Sequence, residues 1–119
     1  MTHYRLDDMV RGWIVGDFTP ACRRTDACEV ACQRYRAGDV EPLHVHRVAT
    51  EITLVASGRA RMNGRVLEPG DILVLEPGDP ADFEALEDTI TMVVKLPSVP
   101  GDKYLVDPAT LAAPISSIA

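Results

Sequence analysis

The stretch Gly38-Asp39-Val40-Glu41-Pro42-Leu43-His44-Val45-His46-Arg47-Val48-Ala49-Thr50-Glu51-Ile52-Thr53-Leu54-Val55-Ala56-Ser57-Gly58 decides how this chain is read. Two of the three histidines of the protein stand in it, two positions apart. Side chains alternate across a β-strand, so this spacing puts both imidazoles on one face. A carboxylate, Glu51, follows five positions after His46. Two neutral imidazoles and one carboxylate can hold a divalent transition metal and leave coordination positions open for substrate or oxygen. The alternative is a pair of strand histidines with ordinary hydrogen bonds and a Glu51 that pairs with Arg47 or Arg61 on a solvated surface. Parity alone allows Glu51 either direction.

A second stretch lies downstream at Gly70-Asp71-Ile72-Leu73-Val74-Leu75-Glu76-Pro77-Gly78. Glycine and proline bracket a short apolar run, which reads as a buried strand between two turns. Gly38…His44-x-His46…Glu51…Gly58 resembles the first conserved motif of the cupin superfamily, spacing included. The Gly70–Gly78 segment resembles the second. In that family the second motif ends in a histidine three residues after its last glycine; here Ala81 holds that place and Asp82 follows. The two motifs span Gly38 to Phe83, a little over a third of the chain.

The resemblance implies an all-β fold, the cupin jelly-roll barrel or double-stranded β-helix. It implies a metal centre at His44, His46 and Glu51, with Glu51 turned inward. The missing histidine leaves two possibilities. A one-residue register slip, for instance a bulge after Pro80, would turn Asp82 inward as an oxygen ligand. Without the slip Ala81 points inward and the ion has three protein ligands. The implied ion is Fe, Mn, Ni or Zn, and a histidine-to-carboxylate exchange would favour the harder ions.

The rest of the chain agrees with a barrel. Short strands are expected at Gly12–Phe18, Cys28–Arg36, His44–Arg47, Glu51–Ser57, Arg59–Asn63, Ile72–Leu75, Asp82–Leu86 and Thr89–Leu96, with a loop at Ala37–Pro42. Leu6–Val10 reads as a turn or short helix. Residues 97–119 read as a proline-containing tail of a single domain, with one helical turn at Asp107–Ala112. In Glu51–Ala56 and Thr89–Leu96 both strand faces carry apolar side chains, which calls for a second partner layer. A homodimer is the expected source.

Composition excludes other classes. Net charge is −6 and the pI is near 4.9, so the basic footprint of nucleic-acid binding is missing. Aromatics are 5% of residues, too few for a base-stacking platform. No apolar run is long enough for a membrane helix, and Met1–Asp8 lacks a signal-peptide core, so a cytoplasmic protein is expected. Three cysteines make no closed disulfide framework; Cys28 and Cys32 read as small buried apolar residues.

Further pocket candidates are Arg34, Arg36, Arg61, Tyr35, Tyr104 and Lys95, with Asp82 or Glu84 as a base. Lys95 shares parity with Thr91 and Val93, so it either enters an apolar pocket, where it could hold an anionic ligand, or ends its strand in solvent, the favoured reading. Trp13 reads as a core or interface anchor. Three functions remain in play. The first is a metal-dependent enzyme on a small molecule, an oxygenase, isomerase or similar. The second is a non-catalytic small-molecule binding or sensor protein. The third is a metal-free acid–base enzyme using a motif histidine.

Overall fold

Glycine and proline punctuate this chain so often that no helical period is sustained, and β-branched residues fill the runs between them. A computed structural model describes residues 1–107. After a single 3-10 turn at Leu6–Asp8 come eleven strands. They are β1 (Trp13–Gly16), β2 (Arg23–Arg24), β3 (Glu29–Tyr35), β4 (Val40–Val45), β5 (Thr50–Ser57), β6 (Ala60–Met62), β7 (Arg65–Leu67), β8 (Ile72–Leu75), β9 (Pro80–Ala85), β10 (Thr89–Leu96) and β11 (Tyr104–Leu105). They form a six-stranded sheet, β2-β1-β3-β10-β5-β8, and a five-stranded sheet, β11-β4-β9-β6-β7. All pairings are antiparallel except β1 with β2. This is the expected jelly-roll architecture. No helix among the described residues is long and apolar enough to cross a membrane.

The apolar core gathers Val55, Ala60, Met62, Leu67, Leu75, Ala81, Phe83 and Ala85, with Tyr35 and Leu73 packed against it. Along the inner face of β5 the side chains run Glu51, Thr53, Val55, all buried. That one strand therefore carries the interior from a polar end to the oily core. The Tyr35 ring stacks on Phe83 with centroids 4.3 Å apart and sends its hydroxyl toward Gln33 and Glu41. It marks the boundary between the two zones.

Several local expectations change. The segment 40–42, expected as loop, belongs to β4, and His46 lies just beyond that strand's end. Residues 97–107 are tied into the fold. Ser98 Oγ donates to Glu29, β11 pairs with β4, and the Val106 N–H donates to the Leu43 carbonyl. The helical turn expected at Asp107–Ala112 lies outside the described residues beyond its first position. All three cysteines are free and half-buried, so the buried reading of Cys28 and Cys32 does not hold.

The two glycines that bracket the first motif differ in kind. Both have positive φ, 91° at Gly38 and 83° at Gly58. A Cβ on Gly38 would meet nothing within 4 Å, whereas on Gly58 it would sit 2.2 Å from the Asp88 carbonyl oxygen. Gly38→Ala is expected to cost about 1 kcal/mol, the left-handed backbone penalty alone. Gly58→Ala should cost clearly more, about 3 kcal/mol, because backbone must move as well. Urea midpoints of the two variants check this; equal losses would contradict it.

The outer face of the six-stranded sheet carries two cross-strand rows: Val30, Val94, Ile52, Val74 and Cys32, Met92, Leu54, Ile72. No charged side chain interrupts either row, and the edge residues Ile72 and Val74 are 61% and 49% exposed.

Candidate metal centre

The two histidines arrive from one sheet and the glutamate from the other, and all three are buried. His44, His46 and Glu51 are 5%, 4% and 8% exposed. The His44 and His46 rings lie edge to face with centroids 5.3 Å apart. The His46 Nε2 is 3.3 Å from Glu51 Oε1. The three sequence candidates are thus brought together at the polar end of the interior.

Each ring is oriented by a backbone carbonyl. His44 Nδ1 lies 2.9 Å from the Pro42 carbonyl oxygen, and His46 Nδ1 is bonded to the Asp102 carbonyl oxygen. A carbonyl only accepts, so both Nδ1 atoms carry the proton and both Nε2 atoms hold the lone pair in the neutral ring. That is the tautomer a metal ligand requires. His46 Nε2 is buried and has no hydrogen-bond partner. Its contact with Glu51 Oε1 lies within ion-pair distance but lacks hydrogen-bond geometry. A lone pair set against a carboxylate oxygen in a dry interior is repulsive unless positive charge stands between them. Two ligands about 2.1 Å from one ion have their donor atoms roughly 3–3.4 Å apart, the separation seen here. Among the described residues, no group of three or more His, Cys, Asp or Glu side chains is placed to hold a metal ion as it stands. The donor set nevertheless fits a divalent ion: two oriented imidazoles, one ionised carboxylate and an orphaned buried nitrogen.

The ionisation states agree. Burial, followed by the charges of Lys103 and His46, holds the His44 imidazole below its ordinary 6.5, against the opposing hydrogen bond to Pro42. It is therefore neutral at pH 7. Burial alone would raise the Glu51 carboxyl. A positive charge between His46 and Glu51, whether a proton on Nε2 or a metal ion, together with the Lys95 charge and the Thr53 hydroxyl, which donates to Oε2 at 3.1 Å, outweighs burial and keeps Glu51 below its ordinary 4.5.

Asp82 is not part of this cluster. The register slip exists, but it lies in β4 between Glu41 and His44 rather than after Pro80. His44 pairs with Ala81, whose side chain is buried, and Asp82 faces the other way. Its carboxylate accepts the Asn63 N–H at 2.8 Å. Glu84 is also off the site, paired with Arg61 at 2.8 Å. The same bulge brings Glu41 to the cavity that holds His44, although three residues separate them and a regular strand would oppose them.

That cavity has a volume of about 110 Å³, and Trp13, Gln33 and Glu41 share its walls with the three candidates. Three cations, Arg11, Lys95 and Lys103, line it too. Arg11 Nη2 lies 3.7 Å from Glu41 Oε1. Lys95 is half-buried and lines the cavity, with Nζ 4.9 Å from the centroid of the Trp13 ring. Tyr35 Oη donates to Gln33 Oε1 at 2.8 Å, and burial with the Glu41 charge pushes its phenol well above the ordinary range, so it stays a donor. The other pocket candidates have different employment. Arg34 pairs with Asp7, and Tyr104 carries the Arg47 guanidinium 3.8 Å from its ring centroid. Arg36 is exposed.

Asp102 is the residue that motif reading missed. Its side chain accepts the N–H groups of Arg47, Val48 and Ala49 at 2.9–3.1 Å while its carbonyl holds His46. It fixes the turn between the histidine strand and the glutamate strand. Only its place in a Gly-Asp turn hinted at this, since its partners lie more than fifty positions earlier.

No protein-family model matches the chain, and a search of curated proteins finds no match. Solved structures do. One is a conserved protein with a double-stranded beta-helix domain from Klebsiella pneumoniae, 28% identical, with TM-score 0.62 over 69% of this chain and 72% of that one. A second is KdgF from Halomonas sp., 26% identical, with TM-score 0.59 over 64% and 74%. A third, an RmlC-like cupin from Shewanella frigidimarina, is 19% identical, with TM-score 0.60 over 64% and 71%, and shows the fold alone. The chain therefore shares the double-stranded β-helix fold of these proteins, with the bracketing glycines and the His-His-Glu cluster of the first motif at one end of it.

Proposed function

We propose that this protein is a cupin that holds a divalent metal ion through His44, His46 and Glu51 and is a metal-dependent enzyme acting on a small molecule. The observation that supports it most is the buried, unpartnered Nε2 of His46 set against the Glu51 carboxylate. A bound divalent ion would supply Lewis acidity or a place for oxygen. The protein's own part is orientation and exclusion of water. Pro42 and Asp102 set the two rings, and Thr53 sets Glu51. Glu41, beside Arg11 in the same cavity, is the carboxylate positioned to take or return a proton, in place of Asp82 or Glu84.

Protein purified without chelator is expected to carry close to one equivalent of a transition metal by elemental analysis. Chelator-treated protein should regain stability on adding Mn²⁺, Fe²⁺, Ni²⁺ or Zn²⁺. Metal-free protein with a melting temperature indifferent to all four would remove the reading. A second reading, a non-catalytic binding protein, draws on Ala81 standing where a fourth donor would be. Turnover of any small molecule by metal-loaded protein decides against it.

For assembly the proposal is a homodimer. The two uncharged apolar rows on the outer sheet face suit a second copy of the same surface better than a charged partner. Light scattering should give twice the chain mass, and Ile72→Lys should give the monomer. A wild-type monomer at all concentrations would contradict this.

A further inference from the structure

We infer that the cavity takes a small carboxylate anion, or the carboxylate end of a longer ligand, with Lys95 and Lys103 as its counter-charges. This rests on the metal reading above and names the class of molecule that site accepts.

On β10, Thr91 and Val93 are buried on the inner face, and Lys95 continues the same row. Lys95 stands in register between Glu51 of β5 and Glu29 of β3. A chain that needed only a strand-ending cation would place it on the outer face, where water solvates it. Here the stem is inside and the ammonium sits over the Trp13 ring. Among the described residues neither Lys95 nor Lys103 has a carboxylate within ion-pair distance. Glu51 is committed to His46, Glu29 accepts the Ser98 hydroxyl at 2.8 Å, and Glu41 is partnered by Arg11 and Tyr35.

Charge counting gives the sign. The cavity is lined by three cations (Arg11, Lys95, Lys103) and two carboxylates (Glu41, Glu51), a formal balance of 3 − 2 = +1. Including Glu29 brings it to 0. A divalent ion raises these sums to +3 and +2. A cavity with that surplus and two ammonium groups outside any ion pair is complementary to an anion; Lys103 is exposed, so the cost of an unpaired cation falls on the half-buried Lys95.

Position adds to charge. Lys103 directly follows Asp102, whose carboxylate is locked by three backbone N–H groups. Its backbone is therefore held in register with His46, and its own N–H donates to the Gly101 carbonyl. The volume, about 110 Å³, is that of roughly four waters at ~30 Å³ each. A carboxylate with two or three further heavy atoms fills it. A longer ligand has an exit, since an adjoining cavity of about 320 Å³ shares Trp13, Lys95 and Lys103.

The test uses pyruvate against acetone, which keeps the ketone and lacks the carboxylate. Mn²⁺ binding to the full chain is measured first, then each probe is titrated into the Mn²⁺-loaded protein by calorimetry. Pyruvate is expected to bind, with acetone at least tenfold weaker. Lys95→Met should weaken pyruvate about tenfold or more, as for loss of a hydrogen bond to a charged group, and Lys103→Met by a smaller factor. Lys95→Arg should retain most of the affinity. Mn²⁺ affinity should hold or rise in all three variants, because a positive charge near the ion is kept or removed, never added. If Lys95→Met does not fold, Lys103→Met and Lys95→Arg carry the test. Equal affinity for pyruvate and acetone, or lysine-to-methionine variants that bind pyruvate like the wild type, overturns the inference while leaving the metal reading intact. Failure of the wild type to bind Mn²⁺ overturns both, and the order of measurement tells the two failures apart.

Discussion

His46→Ala is expected to abolish the stabilisation that a divalent ion gives this protein. An ion present at a hundred times its dissociation constant adds about 2.7 kcal/mol to the folded state. For a chain of this size that is a rise in melting temperature of roughly 10 °C. The imidazole of His46 is the donor whose Nε2 has nothing else to bind, and its Nδ1 is already spent on the Asp102 carbonyl. Without it, Glu51 loses the ligand 3.3 Å away that shares its ion, and His44 alone does not hold a divalent ion against water. Glu51→Ala should behave in the same way. Asp82→Asn should keep the full metal response, because that side chain is occupied with Asn63 on the other face of β9. A His46→Ala protein that gains as much from metal as the wild type would contradict the assignment. So would an Asp82→Asn protein that gains nothing.

Asp102→Ala is expected to be the most destabilising polar substitution in the chain. Three N–H groups, of Arg47, Val48 and Ala49, lose a charged acceptor at once, and the backbone carbonyl that aims the His46 ring loses the side chain that anchors it. Hydrogen bonds to charged groups contribute about 1.5–3 kcal/mol each, with partial compensation by water at the more open positions. The net loss should be about 3–5 kcal/mol, a fall in melting temperature of roughly 10–20 °C. Asp102→Asn keeps one acceptor oxygen and should lose about half as much. The metal-free protein shows this loss, so it separates from the His46 effect. The pH dependence follows from the same contacts. Burial alone would raise the Asp102 carboxyl, but the Ala49, Arg47 and Val48 N–H groups and the nearby His46 hold it below its ordinary 3.8. A depressed carboxyl contributes stability that is complete above the unfolded value and lost as pH falls through the folded one. Wild-type stability should therefore fall below about pH 4 more steeply than that of Asp102→Asn. Parallel acid limbs would contradict the role given to this carboxylate.

Local signals carry the parts of the fold that short-range chemistry decides. Glycine and proline bracket β8 at Gly70 and Pro77-Gly78, and the strand lies between them at Ile72–Leu75, though at the sheet edge with Ile72 and Val74 exposed instead of buried as expected. The His44-x-His46 spacing and Glu51 converge as parity and motif suggest. What sequence could not carry are features fixed by pairing across the barrel. The bulge between Glu41 and His44 exists only relative to β9, and it decides that Ala81 rather than Asp82 meets the site. It also brings in Glu41, which local parity would exclude. Lys95 had two environments open to it, and the choice depended on Trp13, far away in β1. Asp102 works through contacts more than fifty positions distant, and the Gly101-Asp102 turn is the one local hint of them.

The most direct measurement is anomalous scattering from crystals of the full chain grown with Mn²⁺, with data collected on both sides of the metal absorption edge. The account predicts one strong peak within about 2.3 Å of Nε2 of His44, Nε2 of His46 and a Glu51 carboxylate oxygen. A cage without a peak, or a peak elsewhere with His46 Nε2 still bare, would contradict it.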